Sequence, residues 1–375
     1  MRILIAGGGT GGHIYPALSI AKAIIDIDAS AVVEFVGTPS GLETQLVPPA
    51  GFKIHTIQIG RLNKNVSFGE RLKTILQLPI AIFKSFQLIL NFKPDVVLGV
   101  GGYASGPLVF AAAILRYRTL IWEPNAYPGL ANRILSRFVN HALVVFSGAE
   151  KYMNCRKITR VHMPVRFEIE DLHIKNIKGQ NDGVLESEAN NFSNKKFHIL
   201  VFGGSQGARA INNIVSRAIE VGGAWLESTE IVHQTGAADF ETVRRIYDEM
   251  PLNKEAVTVL EYLHDMPARY EWANLVIARA GTGTISELAA CSKAAILIPL
   301  PSAADDHQTK NAQALVDIGG AILIKQKELS VDRLIEEIMA LKYQPERLAE
   351  LEININKFHK PYAAKEIAKI ILKRD

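Results

Sequence analysis

The sequence predicts an α/β protein made of two Rossmann-like, doubly wound parallel-sheet domains facing across a cleft. Three observations predict it. Short apolar runs recur at intervals that leave room for a helix between them, the rhythm of a parallel sheet with crossover helices. Glycine clusters stand directly after several of these runs and directly before a helical pattern, as at a strand-to-helix turn. The whole pattern then starts again at Phe197. A chain of 375 residues has room for two or three domains. Its 48% hydrophobic and 21% charged residues are the balance of a folded globular protein.

In order along the chain, Arg2–Ala6 reads as a buried strand, Gly7–Gly12 as a tight loop and Pro16–Ile24 as a helix. Val32–Val36, Val96–Val100, Thr119–Trp122 and Ala142–Phe146 continue the first sheet. Val96–Leu115 carries no charge over twenty residues, about the length of a membrane span. Gly99, Gly101, Gly102, Gly106 and Pro107 divide it instead into a strand, a turn and an apolar helix Leu108–Leu115. The second half opens with the strand Phe197–Phe202, then Gly203, Gly204 and Gly207, then a helix through Ala210–Ala218. Strands at Glu230–His233, Val257–Leu260, Leu275–Ala278 and Ala294–Ile298 follow. Asp171–Lys196 is rich in Asn, Ser, Lys and Glu and reads as a linker or surface excursion. The expected domains are therefore 1–165 and 166–345, with a helical segment 346–375 last, and the cleft between the halves is the expected ligand site.

Composition excludes several classes. Forty-two Lys and Arg against thirty-eight Asp and Glu leave a net charge of +4, too little to imply nucleic acid as the main partner. Cys155 and Cys291 lie far apart without metal-ligand spacing, so neither a disulfide framework nor a zinc site is expected, and a reducing cytoplasm fits. The apolar run Ile3–Ala6 is too short for a secretory signal.

The glycine clusters carry the chemistry. Gly7-Gly8-Gly9-Thr10-Gly11-Gly12 contains Gly-x-Gly-x-x-Gly between a strand and a helix, where backbone N–H groups and the helix terminus suit a pyrophosphate. Glu34 in the second strand could bind a ribose, so a nicotinamide-dependent dehydrogenase stays in view. Against it, the loop recurs as Gly203-Gly204-Ser205-Gln206-Gly207-Ala208 and loosely as Gly101-Gly102-Tyr103-Ala104-Ser105-Gly106, and His13 directly follows the first. Ala280-Gly281-Thr282-Gly283-Thr284-Ile285-Ser286-Glu287 opens another helix after a strand. Its N–H groups suit a phosphate, and Glu287 could hold two ribose hydroxyls. The plainer reading there is a Thr284–Glu287 capping box. Polar residues from Ser302 to Asn311 follow a strand end, as a sugar grip or a solvated loop.

Taken together, Gly8–His13 with Pro16-Ala17-Leu18, Gly101–Pro107, Gly203–Ala208, Arg279-Ala280-Gly281 with Ser286-Glu287, and His307-Gln308 with Asn311-Ala312 closely resemble the peptidoglycan N-acetylglucosaminyltransferases of the GT-B fold, in glycosyltransferase family 28. The motifs keep the family's order from residue 1 to about residue 315. The resemblance implies transfer of GlcNAc from UDP-GlcNAc to the MurNAc 4-hydroxyl of lipid I, an undecaprenyl-pyrophosphoryl-MurNAc-pentapeptide, with inversion, giving lipid II. It implies a UDP-GlcNAc-binding second domain, an acceptor- and membrane-facing first domain, and a C-terminal helix that crosses back to the first. On the donor side it matches Leu263 to the uracil, Thr282, Gly283, Thr284, Ile285, Ser286 and Glu287 to the phosphate and ribose segment, and Ser205 and Arg166 to further donor contacts. Gln308 matches the residue that holds the GlcNAc hydroxyls, and Thr10, Gly11, Gly12 and Asn125 the first domain's side of the site. Gly9, Gly102, Tyr103 and Ser105 fall at acceptor positions. Trp122 and Pro124 stand where the family usually has His and Gln, and Met163 where it has Asn. The nearest rival is a GT-B transferase acting on another lipid, such as a diacylglycerol.

An inverting transfer needs a base for the acceptor hydroxyl, and His13, at a loop beside a helix N-terminus, is the candidate. No cofactor or metal is expected, because helix dipole, Ser205 and backbone amides meet the leaving-group charge. Asp26-Ile27-Asp28 has an Asp-x-Asp spacing but ends the first helix, away from the cleft. Arg61–Lys93 holds six basic residues against Glu70 alone, a net +5 against +4 for the whole chain. Interleaved Leu72, Ile75, Leu76, Ile80, Phe83, Phe86 and Leu90 suit an interfacial helix on an anionic membrane surface, or else a core-packing helix with a solvated basic face. The expected location is peripheral, on the cytoplasmic face of the plasma membrane.

Overall fold

The computed structural model describes residues 1–8, 11–60, 67–166, 168–171, 196–204, 206–250 and 256–373. The linker 172–195, Gly9, Thr10, Ser205, Arg61 and Lys64 lie outside them. The chain divides into two compact units, Met1–Arg166 with Ala304–His307 and Tyr362–Asp375, and Phe167–Ala303 with Gln308–Pro361.

The first unit holds β1 (Arg2–Ala6), β2 (Val32–Gly37), β3 (Lys53–Thr56), β4 (Val96–Gly99), β5 (Arg118–Glu123), β6 (His141–Val144) and β7 (Lys157–Arg160). They form one parallel sheet in the order β3-β2-β1-β4-β5-β6-β7, with Ala6 paired to Gly99 across the point where the order reverses. Covered on both faces, the inner strands are continuous apolar runs: Ile3, Leu4, Ile5, Val96, Val97 and Leu98 are fully buried. The second unit repeats the plan with β8 (Phe197–Phe202), β9 (Thr229–Gln234), β10 (Val257–Leu260), β11 (Leu275–Ala278), β12 (Ala294–Leu297) and β13 (Ile322–Leu323). Its order is β10-β9-β8-β11-β12-β13, all parallel. Because every strand of a sheet runs the same way, all strand-following loops of a unit gather at one edge. The two glycine loops of each sheet follow the two strands that flank its reversal, β1 and β4 or β8 and β11.

Three strands are not among those the sequence predicts, and all three are at sheet edges. Lys53–Thr56 and Lys157–Arg160 have no buried residue, and Ile322–Leu323 is a two-residue strand. The apolar stretch after β4 becomes the buried helix Ser105–Ile114, packed on the first core. Asp28 closes the turn after the first helix, Gly11–Ile27. Its Oδ1 accepts from the Ser30 N–H (3.0 Å) and hydroxyl (2.6 Å), and the Met1 ammonium lies 3.6 Å from Oδ2.

Helix Phe68–Phe92 starts at a capping box, in which the Ser67 hydroxyl accepts from the Glu70 N–H and the Glu70 carboxylate from the Ser67 N–H. Its buried face is Thr74, Ala81, Ser85, Ile89 and Phe92. The stripe Leu72, Ile75, Leu76, Ile80, Phe83 and Leu90 is exposed, Leu76 by 68% and Phe83 by 62%, and of the seven apolar residues expected on one face only Phe86 packs on the core. By length and composition this helix could cross a bilayer.

The C-terminal segment divides. Helix Pro345–Asn356 buries Leu348 and Leu351 in the second unit's core, whereas helix Ala363–Leu372 lies along Gly11–Ile27 in the first. The returning piece is thus shorter than the 346–375 expected. Arg118 donates to the Ile371 carbonyl at 2.6 Å and the Ile370 carbonyl at 2.9 Å, filling acceptors that a helix end leaves open.

Candidate active site

In the first unit the two glycine loops touch backbone to backbone. Gly101 and Gly102 have φ +95° and +82°, and a Cβ on Gly102 would stand 2.3 Å from the Gly8 carbonyl oxygen, so only glycine permits this approach. His13, in the first turn of Gly11–Ile27, lies with its ring against Gly101. Its Nδ1 is buried, and a hydrogen bond to the Val100 backbone acts against the fall in pKa that burial causes. Desolvation pushes the imidazole down to about 4, with His307 pressing the same way, so at neutral pH the ring is uncharged and can accept a proton. Arg133 donates to Asp305 at 2.9 Å and to the Tyr127 hydroxyl at 2.7 Å, tying down the segment that carries His307.

The other first-unit residues are placed unevenly. Gly12 is exposed, Tyr103 is half-buried against the core, and Asn125 follows β5. Ser105 is fully buried with its Oγ turned to Gly99, beneath the loop, which takes it off the surface an acceptor would meet. Arg166 is half-buried at the end of the unit's first stretch. Glu34 is engaged by His55 and Lys53 of β3, which occupies the carboxylate that a dinucleotide ribose would need.

In the second unit, Gly207 (φ +75°) sits on the turn after β9, where a Cβ would overlap the Thr235 carbonyl. Leu263 is buried in the loop after β10. Helix Thr282–Ala290 follows β11, and the capping box read from Thr284 and Glu287 is absent. Gly281 is the N-cap, without any side-chain cap, and the Glu287 carboxylate accepts from the Tyr270 hydroxyl at 3.1 Å. The N–H of Ile285 bonds the Gly281 carbonyl at 3.0 Å, so the N–H groups of the turn Thr282–Thr284 come before the helical ladder begins. Ile285 and Ser286 are buried and face the core. Asn311, fully buried, donates to the Thr282 hydroxyl at 3.2 Å, and Gln308 accepts from the Leu300 N–H at 2.9 Å. The structure therefore brings Thr282, Gly283, Thr284, Glu287 and Gln308 to neighbouring strand ends of one sheet.

Two buried carboxylates escaped the sequence reading. Glu43 accepts from the Thr38 N–H (2.7 Å) and hydroxyl (2.9 Å), and its carboxylate fills the space a Cβ would take at Gly8, Gly37 and Gly41. Glu123, at the end of β5, accepts from Asn125, Gly129 and Asn132. The available signal was position, an acid in a glycine-rich turn or at the last residue of an apolar strand.

Comparison with known proteins agrees with this geometry. Residues 3–144 match the glycosyltransferase family 28 N-terminal domain and residues 198–367 the family 28 C-terminal domain. The "UDP-N-acetylglucosamine--N-acetylmuramyl-(pentapeptide) pyrophosphoryl-undecaprenol N-acetylglucosamine transferase" of Bdellovibrio bacteriovorus is 44% identical over 371 residues, 99% of this chain and 98% of its own. The protein of the same name from Myxococcus xanthus is 39% identical over 370 residues, covering 99% and 92%. The crystal structure of Acinetobacter baumannii MurG superposes with a TM-score of 0.79 at 28% identity, covering 100% and 99%. The UDP-GlcNAc 2-epimerase of Neisseria meningitidis, at TM-score 0.66 and 17% identity over 100% of both chains, shares the fold alone. With both family domains in sequence order, each on a sheet whose glycine loops flank its reversal, the chain belongs to glycosyltransferase family 28 and is a glycosyltransferase of the GT-B fold.

Proposed function

We propose that this chain transfers N-acetylglucosamine from UDP-N-acetylglucosamine to undecaprenyl-pyrophosphoryl-N-acetylmuramyl-pentapeptide, with inversion at the anomeric carbon. The observation that carries the reading is the end-to-end likeness to relatives bearing that activity's name, at 44% identity without a missing domain. In this scheme the first-turn N–H groups of helix Thr282–Ala290, with Ser205, receive the diphosphate and steady the charge that grows on departing UDP. Glu287 takes the ribose, the backbone at Leu263 the uracil, and Gln308 the sugar hydroxyls. Thr10, Gly11, Gly12, Asn125 and Arg166 complete the donor contacts. Neutral His13 removes the proton of the attacking hydroxyl, and Gly9, Gly102 and Tyr103 receive the acceptor.

The exposed stripe of Phe68–Phe92 supports a peripheral membrane location. Ile114, Ile134 and Phe138 are half-exposed as well, and Lys73, Lys84 and Lys93 flank the stripe. An apolar face rimmed by lysines suits the headgroup boundary of an anionic bilayer, where a polyprenyl-linked acceptor resides. The deciding experiment is transfer of labelled GlcNAc from UDP-GlcNAc to a lipid I analogue, with a diacylglycerol acceptor alongside. Product on the diacylglycerol alone would assign a different lipid glycosylation.

A further inference from the structure

Gln308 is held by one bond whose chemistry fixes its orientation. A backbone N–H can only donate, so the amide atom facing Leu300 at 2.9 Å is Oε1, and Nε2 is the group left to reach outward. That bond leaves the Gln308 NH2 available to donate. Its holder, Leu300, lies in the short loop after β12, a place where backbone is ordinarily mobile. That loop is braced from beneath. Arg279, only 8% exposed at the end of β11, donates through one nitrogen to the carbonyls of Ile298 (3.0 Å) and Pro299 (2.9 Å) and through the other to the Gln326 side chain (2.9 Å). A guanidinium is the side chain that can do this, because its planar fork presents several donors in fixed directions. Gln326, in the turn Gln326–Glu328 after β13, supplies the acceptor that orients the fork.

We propose that Arg279 and Gln326 are positioning residues for sugar recognition: they brace the loop whose Leu300 N–H aims the Gln308 amide as a donor toward a hexose hydroxyl. The inference rests on the assignment of Gln308 to the sugar and extends it to two residues that touch no substrate. It implies that bracing affects the hexose and leaves the nucleotide alone.

The test compares Gln326→Ala, Gln326→Glu, Arg279→Lys and Gln308→Ala in the full chain. KM for UDP-GlcNAc, kcat, the inhibition constant of UDP, and the preference for UDP-GlcNAc over UDP-GalNAc are measured, with Tm as the control for folding. Gln326→Ala is expected to raise KM for UDP-GlcNAc about fivefold, the worth of one hydrogen bond, and to erode the preference over UDP-GalNAc, with UDP inhibition unchanged. Gln326→Glu, which still offers the guanidinium an acceptor, retains wild-type values. Arg279→Lys loses more, since an ammonium cannot span both carbonyls and Gln326; should it fail to fold, the Gln326 pair decides. The proposal is overturned if Gln326→Ala weakens UDP and UDP-GlcNAc equally, or changes neither while Gln308→Ala raises KM. If Gln308→Ala itself leaves KM and the epimer preference intact, the sugar assignment of Gln308 has failed, and the bracing role with it.

Discussion

Glu123 holds Asn125 twice through a single oxygen: Oε1 accepts from the Asn125 backbone N–H at 2.9 Å and from its side-chain amide at 3.0 Å. Oε2 accepts from the Gly129 N–H and the Asn132 amide, both at 3.0 Å. Burial pushes this carboxyl's pKa up while the four donors act against that rise. Glu123→Gln keeps the shape but turns an NH2 toward donors. It is expected to cost about 1–3 kcal/mol in urea denaturation and to raise KM for the donor through Asn125. Wild-type stability in that variant would mean the loop 124–129 is organised by something else.

Since the His13 imidazole is held near 4, its conjugate acid forms only in distinctly acidic solution. If His13 is the base, the acid limb of kcat/KM lies near pH 4 in the free enzyme instead of near the ordinary 6.5 of histidine. His13→Ala should lower kcat by roughly 10²–10⁴-fold and shift UDP affinity little. Unchanged turnover in that variant removes His13 from the role.

A second histidine bears on stability instead of turnover. His233 is fully buried between the Tyr247 hydroxyl (2.9 Å) and Asn212 Oδ1 (3.1 Å), and burial pushes it down to about 3. The unfolded chain therefore takes a proton near pH 6.5 that the folded chain refuses until about 3. Stability is complete above the upper value and is lost as pH falls through the window, at up to about 1.4 kcal/mol per pH unit for this group. Urea titrations at pH 7, 6 and 5 should give a flatter dependence for His233→Gln than for the wild type. Equal slopes would mean that His233 titrates normally in the folded chain.

The exposed stripe makes a separable prediction. Ile80→Ser with Phe83→Ser removes two large apolar side chains from water-facing positions, so vesicle co-sedimentation should fall at least about tenfold. Turnover of a water-soluble acceptor should stay near wild type. Binding that ignores the anionic lipid fraction would argue against Lys73, Lys84 and Lys93 as contributors.

The legible parts of the fold were those in which one physical requirement dominates. Strands covered on both faces must be apolar throughout, which is why Arg2–Ala6 and Phe197–Phe202 stood out, with the glycines after them. Edge strands face solvent on one side, and Lys53–Thr56 and Lys157–Arg160 therefore resemble loops in composition. Periodicity identified the helix through Phe83 and Phe86, but period alone cannot say which side faces the core. Thr74, Ala81 and Ser85 took that side because small residues allow close packing against the neighbouring helix Ser105–Ile114. At the candidate site the family motifs point to Gln308 and Glu287. The supports from Arg279 and Gln326 depend on contacts between residues distant in the chain, which sequence spacing does not encode. A Thr-x-x-Glu spacing suggested a cap at Thr284 although Gly281 was already the residue at which the helix begins.

The bonds from Arg118 to Ile370 and Ile371 span about 250 positions of chain. On a ribosome, β5 emerges long before the helix that covers its arginine, so the opening lobe must wait, incomplete, while the entire following lobe is made. Until Leu372 is out, the groove along Gly11–Ile27 is bare hydrocarbon. Nascent chains stalled short of that helix should consequently be sticky, chaperone-bound species, and trimming the last dozen residues should harm the opposite end of the polypeptide first.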